Sequence, residues 1–196
     1  MIAILDYGAG NITSVKRALE HLGHSCAITS DPAVIKHSDR IVLPGVGNFR
    51  STAALGVNGL ITALQAHLAH NQPLLGICLG MQWLFESSEE APGIRGLGAF
   101  AGSCQSFPPE FKSPHVGWNQ LEISSQSRLL RGILADQSVY FTHGYYAPLS
   151  ESTVAVCHYG HRFSAAVERE NLFGVQFHPE KSGEVGLAIL ENFCAC

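Results

Sequence analysis

Four short apolar runs punctuate the first eighty residues: MIAIL (1–5), CAITS (26–30), RIVLPG (40–45) and PLLGI (73–77). Each has strand length and is followed by turn residues, so each reads as a buried strand, the third stopped by Pro44. Helical spacing fills the gaps. Ile12, Val15, Leu19 and Leu22 recur at i, i+3, i+7 and i+10, and Gly23 reads as the residue just past that helix. Leu60, Leu64 and Leu68, with Ile61 beside them, mark an amphipathic helix over about 58–70. A further helix starts at Leu79. Strand, helix and strand in series demand parallel pairing, with helices on both faces of the sheet.

The second half has a different rhythm. Strand-like runs at 99–107, 116–123, 138–142, 153–158, 163–168 and 172–177 are mostly separated by turn residues. A last helix carries Val185, Ile189 and Phe193 at i, i+4 and i+8. No repeat, linker or low-complexity tract divides the chain. The expectation is an α/β fold of three layers over residues 1–196, one domain, whose mainly parallel central sheet is extended by antiparallel strands.

Composition narrows the function. Charged residues are 14% of the chain and hydrophobic ones 46%, which suits a core-rich globular protein. With a net charge of −4 and no Lys/Arg run, nucleic acid is not an expected partner. The opening MIAILDYG lacks a basic n-region and meets Asp6 at once, so it does not read as a signal peptide. No apolar run is long enough to span a bilayer. The six cysteines form no CxxC pair, which points to free thiols in a reducing, cytoplasmic setting. Ten histidines give no HxxxH or HExxH spacing, and His158 and His161 read as exposed residues beside a turn at Gly160, so no metal and no cofactor is expected.

Three stretches could carry chemistry. DYGAGNIT (6–13) sits where a dinucleotide fingerprint would, with Asp31 about 20 residues on as ribose recognition wants. Thr13 stands where the third glycine belongs, and the alternative is a strand-to-helix turn with Asn11 as N-cap. GICLG (76–80) has the form of a nucleophile elbow with Cys78 in the serine's place. A sharp strand-to-helix turn brings the positions two before and two after the nucleophile together, so both must be small. It also aims the sulfur at a helix N-terminus, which favours an anion, and leaves the Leu79 N–H free to donate. A lone cysteine is ordinarily a small buried hydrophobe. The matched glycines at a strand–helix junction favour the nucleophile here.

A thiol with its reference pKa of about 8.5 needs a base near neutral pH. FGVQFHPEKS (173–182) offers one: a strand that ends at His178, where Pro179 stops the ladder. Glu180, two residues on, points the same way in extended backbone and can orient the imidazole. Cys78 and His178 both follow strand C-termini, which share one edge of a parallel sheet. LPGVGNF (43–49) follows a third strand and lacks the phosphate-loop lysine, but its N–H groups could complete an oxyanion hole.

Taken in order, PGVG, GICLGMQ and HPE resemble the class I, triad-type glutamine amidotransferases, and the resemblance covers essentially the whole chain. DYGAGN, SPHVGWNQ (113–120) and THGYY (142–146) resemble in particular the glutaminase subunits of imidazole glycerol phosphate synthase. The resemblance implies a flavodoxin-like fold and a triad of Cys78, His178 and Glu180. It implies oxyanion donors on Gly47 and Leu79, and glutamine contacts at Gln82, His143, Gly144 and Tyr145. It also implies a partner, a cyclase subunit with a (β/α)8 barrel, met near Asn11, Trp118 and Lys181; an aromatic in a strand, such as Trp118, is otherwise more often core. The alternatives are a glutaminase serving an anthranilate or aminodeoxychorismate synthase, against which PHVGWN speaks, and a silent scaffold, against which the intact triad speaks. Three departures stand out: Gly144 where the family commonly has serine, a poor fit of STAALGVNG (51–59) to the family's usual helix, and Val46 where other amidotransferases carry a glycine. A β-branched residue resists positive φ. The expectation is therefore an oxyanion hole that is incomplete in the free chain and forms with the loaded partner.

Overall fold

A computed structural model describes residues 1–123 and 126–196. The strands in chain order are β1 (Ile2–Leu5), β2 (Cys26–Thr29), β3 (Arg40–Gly45), β4 (Leu74–Cys78), β5 (Ser87–Ser88), β6 (Ser103–Ser106), β7 (His115–Gln120), β8 (Glu122–Ile123), β9 (Ser138–His143), β10 (Tyr145–Tyr146), β11 (Thr153–Tyr159), β12 (His161–Arg169) and β13 (Leu172–Val175). The α-helices are α1 (Ile12–His21), α2 (Pro32–Lys36), α3 (Leu60–Ala69), α4 (Leu79–Trp83) and α5 (Gly183–Cys194). Two 3-10 segments, Phe49–Gly56 and Pro179–Lys181, complete the frame.

The main sheet has the order β2-β1-β3-β4-β13-β12-β11-β8. Pairing is parallel from β2 to β13 and antiparallel from β13 to β8. Side chains alternate across it as a pleated strand requires. Ile2 and Ile4 join Val15 and Leu19 of α1 and Ile189 and Phe193 of α5 on one face. Ala3 and Leu5 join Ile35 of α2 and Leu64 of α3 on the other. Two apolar layers flanking one sheet make the three-layer α/β fold.

Four expectations change. Pro44 does not stop β3, which runs on to Gly45, paired with Cys78 of β4. The β-rich half extends the main sheet only in part: β7 and β9 form a separate antiparallel ribbon, and β5, β6 and β10 a small third sheet. The strand before His178 ends three residues earlier, at Val175. Asn11 occupies the N-cap position of α1 without capping it, because its side chain turns elsewhere. Asp31 in turn caps α2 by accepting from the Ala33 N–H at 2.8 Å, which gives it a local structural task.

The topology places β4 between β3 and β13, so the ends of those neighbours flank its C-terminus. The chain there turns sharply. Cys78 sits at φ 54° and ψ −109°, a conformation that costs an L-residue of order 1–3 kcal/mol. A Cβ on Gly80 would lie 1.9 Å from the Leu43 carbonyl oxygen, and one on Gly76 would lie 2.7 Å from the Met81 nitrogen. Gly80 thus lets the elbow press against β3, and Gly76 lets the first turn of α4 close over its own strand. Gly80→Ala is expected to destabilise the fold by about 3 kcal/mol, the upper end of overpacking costs, in urea unfolding. Gly56→Ala, which meets nothing within 4 Å, should stay within about 0.5 kcal/mol of the parent.

Candidate active site

Cys78, Leu79, Gln82, Val46, Gly47, Thr142, His143, Gly144 and Tyr145 line one cavity of about 150 Å3. The loop after β3, the elbow after β4 and the end of β9 all converge there, as the topology requires. Cys78 is 5% exposed. Its Sγ lies 3.8 Å from the Thr142 carbonyl oxygen and 3.7 Å from Gln176 Nε2. Gly47 adopts φ +101°, open to glycine and not to a β-branched residue, while Val46 beside it is exposed and keeps a negative φ.

His178 and Glu180 meet, though by a different route from strand alternation. His178 is extended, and Glu180 sits on the following 3-10 turn, whose curl returns its carboxylate to the ring. His178 Nδ1 donates to Glu180 Oε1 at 2.8 Å, with both side chains 1% exposed. That bond fixes the tautomer, so Nε2 is the nitrogen left for chemistry; it is buried and, among the described residues, makes no well-directed hydrogen bond. Burial lowers the imidazole pKa, but the Cys78 and Glu180 side chains outweigh it and carry it up to about 9. A protonated His178 is the state this arrangement favours. Asn11 Nδ2 reaches Glu180 Oε1 at 3.4 Å, which is where its missing cap went.

The imidazole is also hung from the β7–β9 ribbon. Its backbone N–H donates to the Tyr140 carbonyl at 2.9 Å. Buried Ser182 ties the two together, accepting from the Tyr140 N–H at 2.9 Å and donating to the His178 carbonyl at 2.7 Å. On the outer face of the ribbon Trp118 is 58% exposed, so it is not core. Its ring lies 5.9 Å from that of Tyr140, and Lys181 Nζ stands 5.8 Å over the same Tyr140 ring. Trp118 and Lys181 therefore share one exposed surface, and Asn11 lies behind it against Glu180.

Sequence reasoning missed several residues. Glu90 lines the cavity, its Oε2 accepting from the Phe49 N–H at 2.6 Å, with burial raising its pKa. Nothing in SSEEAPG marks that glutamate out from its neighbours. Ser182 and Gln176 flank the HPE run and both are buried; Gln176 stands between Val175 and Phe177, the one local signal, while Ser182 among Lys181, Gly183 and Glu184 carries none. His115 was also missed. It stacks between Tyr159 and Phe141 and joins the cavity residue His143, His115 Nδ1 to His143 Nε2 at 3.1 Å. His143 Nδ1 donates to the Tyr145 carbonyl at 2.8 Å, so the ring is neutral and its Nε2 accepts. Gly144 has room for a side chain such as serine, since an added Cβ meets only Ser113 Oγ at 3.6 Å. Among the described residues no group of three His, Cys, Asp or Glu side chains could hold a metal, and no helix is long and apolar enough to cross a membrane.

An elbow cysteine, a carboxylate-oriented histidine and a glycine-rich loop on one edge of a parallel sheet define a class of thiol-dependent amidohydrolases. The family description "Glutamine amidotransferase class-I" matches residues 3–195, and the chain belongs to that family. Within it, the chain is 46% identical over 194 residues to the protein named imidazole glycerol phosphate synthase subunit HisH of Methanothermobacter thermautotrophicus, covering 98% of this chain and 97% of that one. It is 43% identical over 203 residues to the HisH of Syntrophotalea carbinolica, with 98% of each chain covered. Among solved structures, a glutamine amidotransferase superposes with a TM-score of 0.77 at 18% identity, covering 98% of both chains. A putative GMP synthase protein from Thermoplasma acidophilum superposes with 0.75 at 21%, covering 99% of this chain and 92% of that one. These two likenesses concern the fold.

Two of the buried histidines, His115 and His143, make the site acid-sensitive. Burial pushes His115 down to about 4; burial first, and then the positive fields of His115 and His178, push His143 down to about 3 despite its bond to Tyr145. Both pKa values lie below the unfolded value of about 6.5. The stability held by the neutral pair is therefore complete above that pH and is lost as pH falls toward 4. Urea unfolding between pH 7.5 and 4.5 should show this decline, and His115→Phe should flatten it.

Proposed function

We propose that the chain is the glutaminase subunit of an imidazole glycerol phosphate synthase, working in histidine biosynthesis in the cytoplasm, with residues 1–196 acting as one unit. Family membership and the near full-length HisH relatives support the reading, and the observation that carries the chemistry is a Cys78 that lines the cavity with the Glu180-bonded His178 beside its sulfur.

Free glutamine enters with its carboxamide over Sγ. Its ammonium faces the Glu90 carboxylate and the Gln82 amide oxygen, while Gly144 and Tyr145 border its other end, beside His143. The Cys78 sulfur attacks the carboxamide carbon. The oxygen gathers negative charge, which the N–H groups of Gly47 and Leu79 stabilise; one such donor is worth roughly 3 kcal/mol of barrier. The carbon–nitrogen bond then breaks as His178 Nε2 gives its proton to the departing ammonia. A water, deprotonated by the same nitrogen, cleaves the glutamyl thioester to glutamate and restores the thiolate–imidazolium pair. Glu180 holds the ring in register and stabilises its charge.

The ammonia passes to the partner, a (β/α)8-barrel cyclase subunit seated on the face that carries Trp118 and Lys181. There it reacts with phosphoribulosyl-formimino-AICAR-phosphate to give imidazole glycerol phosphate and AICAR. Val46 keeps its negative φ in the free chain, so the oxyanion loop waits for the partner before its peptide turns to the site.

Two outcomes are expected. Cys78→Ala should lower glutamine-dependent synthesis at least about a thousandfold in the assembled enzyme and leave synthesis from ammonium salts intact; retained glutamine-dependent activity overturns the assignment. Glutaminase turnover should rise sharply when the cyclase and its nucleotide ligand are added. Equal turnover without them removes the proposed role of Val46.

A further inference from the structure

Beside the nucleophile lies a side chain that no step above employs. Gln176 follows β13, is 0% exposed, and its backbone N–H donates to the Ala165 carbonyl at 2.8 Å. A buried amide needs partners for its polar atoms, and those partners fix which end is oxygen. Gln82 Nε2 donates to the Tyr145 carbonyl at 2.8 Å; a carbonyl only accepts, so that end of Gln82 is the NH2 group. The other proton of this NH2 group reaches Gln176 Oε1 at 3.1 Å. Gln176 is thereby turned with its own NH2 toward Cys78 Sγ, 3.7 Å away. Both protons of Gln82 are in use, so its Oε1 is left as the acceptor on the cavity side.

The four groups form one connected chain, in which Gln82 donates both to the Tyr145 carbonyl and to Gln176, and Gln176 donates to the sulfur. We propose that Gln176 is a positioning residue that holds the Cys78 sulfur through Nε2 and, through Oε1, holds Gln82 in the orientation that presents its oxygen to the substrate ammonium. The inference rests on the reading of Cys78 as nucleophile. A donor directed at sulfur favours the thiolate over the thiol and narrows the rotamers from which it attacks. Nucleophile and ammonium subsite are then set by the same buried amide, which registers glutamine's carboxamide to the sulfur.

Two substitutions separate the halves of this role. Gln176→Glu keeps an acceptor for Gln82 and removes the donor to sulfur. Gln176→Met keeps length and volume and removes both. His178 and Tyr7, the titratable groups beside the sulfur, are untouched. The first readout is the pH dependence of Cys78 alkylation by iodoacetamide, resolved by peptide mass; burial pushes the thiols of Cys157 and Cys194 up to about 12, which leaves them slow. The second is kcat and KM for glutamine in the enzyme assembled with its cyclase. Both variants should move the alkylation midpoint to higher pH and lower kcat about tenfold, the cost of one charge-assisted hydrogen bond. Only the Met variant should also raise KM several-fold. Wild-type midpoints in a folded variant overturn the inference, and should the Met variant not fold, the Glu variant alone decides it. Glutamine hydrolysis that survives complete alkylation of Cys78 in the parent protein overturns the nucleophile reading, and this inference with it.

Discussion

The close approach of Gly80 to the Leu43 carbonyl is the contact on which the remaining geometry hangs. It lets α4 begin against β3 with no side chain between, and so lets the backbone fold back at Cys78 into a conformation that a cysteine would otherwise leave. Strain of this kind persists only where its surroundings over-determine it. Here the surroundings are the two central ladders of the sheet, Gly45 paired with Cys78 on one side and Val175 with Ile77 on the other. Each neighbour ends at the same level, so the glycine loop and the histidine turn arrive beside the sulfur without further direction.

Much of this was legible because it follows from periodicity and backbone chemistry. The four strands of the first half, the elbow and the C-terminal helix all lie within a residue or two of where apolar spacing and glycines put them. The placement of Cys78 and His178 was legible for a related reason: each motif advertises a backbone requirement as well as a side chain. What was not legible depended on contacts between distant segments. The ribbon of β7 and β9 has the same alternation as a strand of the main sheet, and only packing decides which partner it takes. The route from His178 to Glu180 runs through a 3-10 turn, which a two-residue spacing does not reveal. Glu90, Ser182 and Gln176 were invisible for a simpler reason, since a buried polar residue is defined by neighbours that the local sequence does not name.

The site is also more amide than acid. Apart from Glu180 and Glu90, its order comes from carbonyls, backbone N–H groups and neutral side chains whose orientations are fixed in sequence: His115 to His143 to Tyr145, and Gln176 to Gln82 to Tyr145. Both chains end on the carbonyl of Tyr145, a residue of the two-residue strand β10. That carbonyl settles the tautomer of one ring and the flip of two amides. A neutral scaffold of this kind adds no formal charge of its own beside Cys78 and His178.

Tyr140 touches both His178 and the outer surface, since its carbonyl accepts from the His178 backbone N–H and its ring lies near both Trp118 and Lys181. Among the described residues the ribbon that bears it makes no ladder with the main sheet, whereas the sulfur is rooted in the middle of that sheet. His178 follows the strand next to that of the sulfur and is bonded as well to the separate ribbon through Tyr140. The outer aromatic face of the ribbon is therefore one residue's thickness from the backbone of His178, with Tyr140 presenting its ring to the one and its carbonyl to the other.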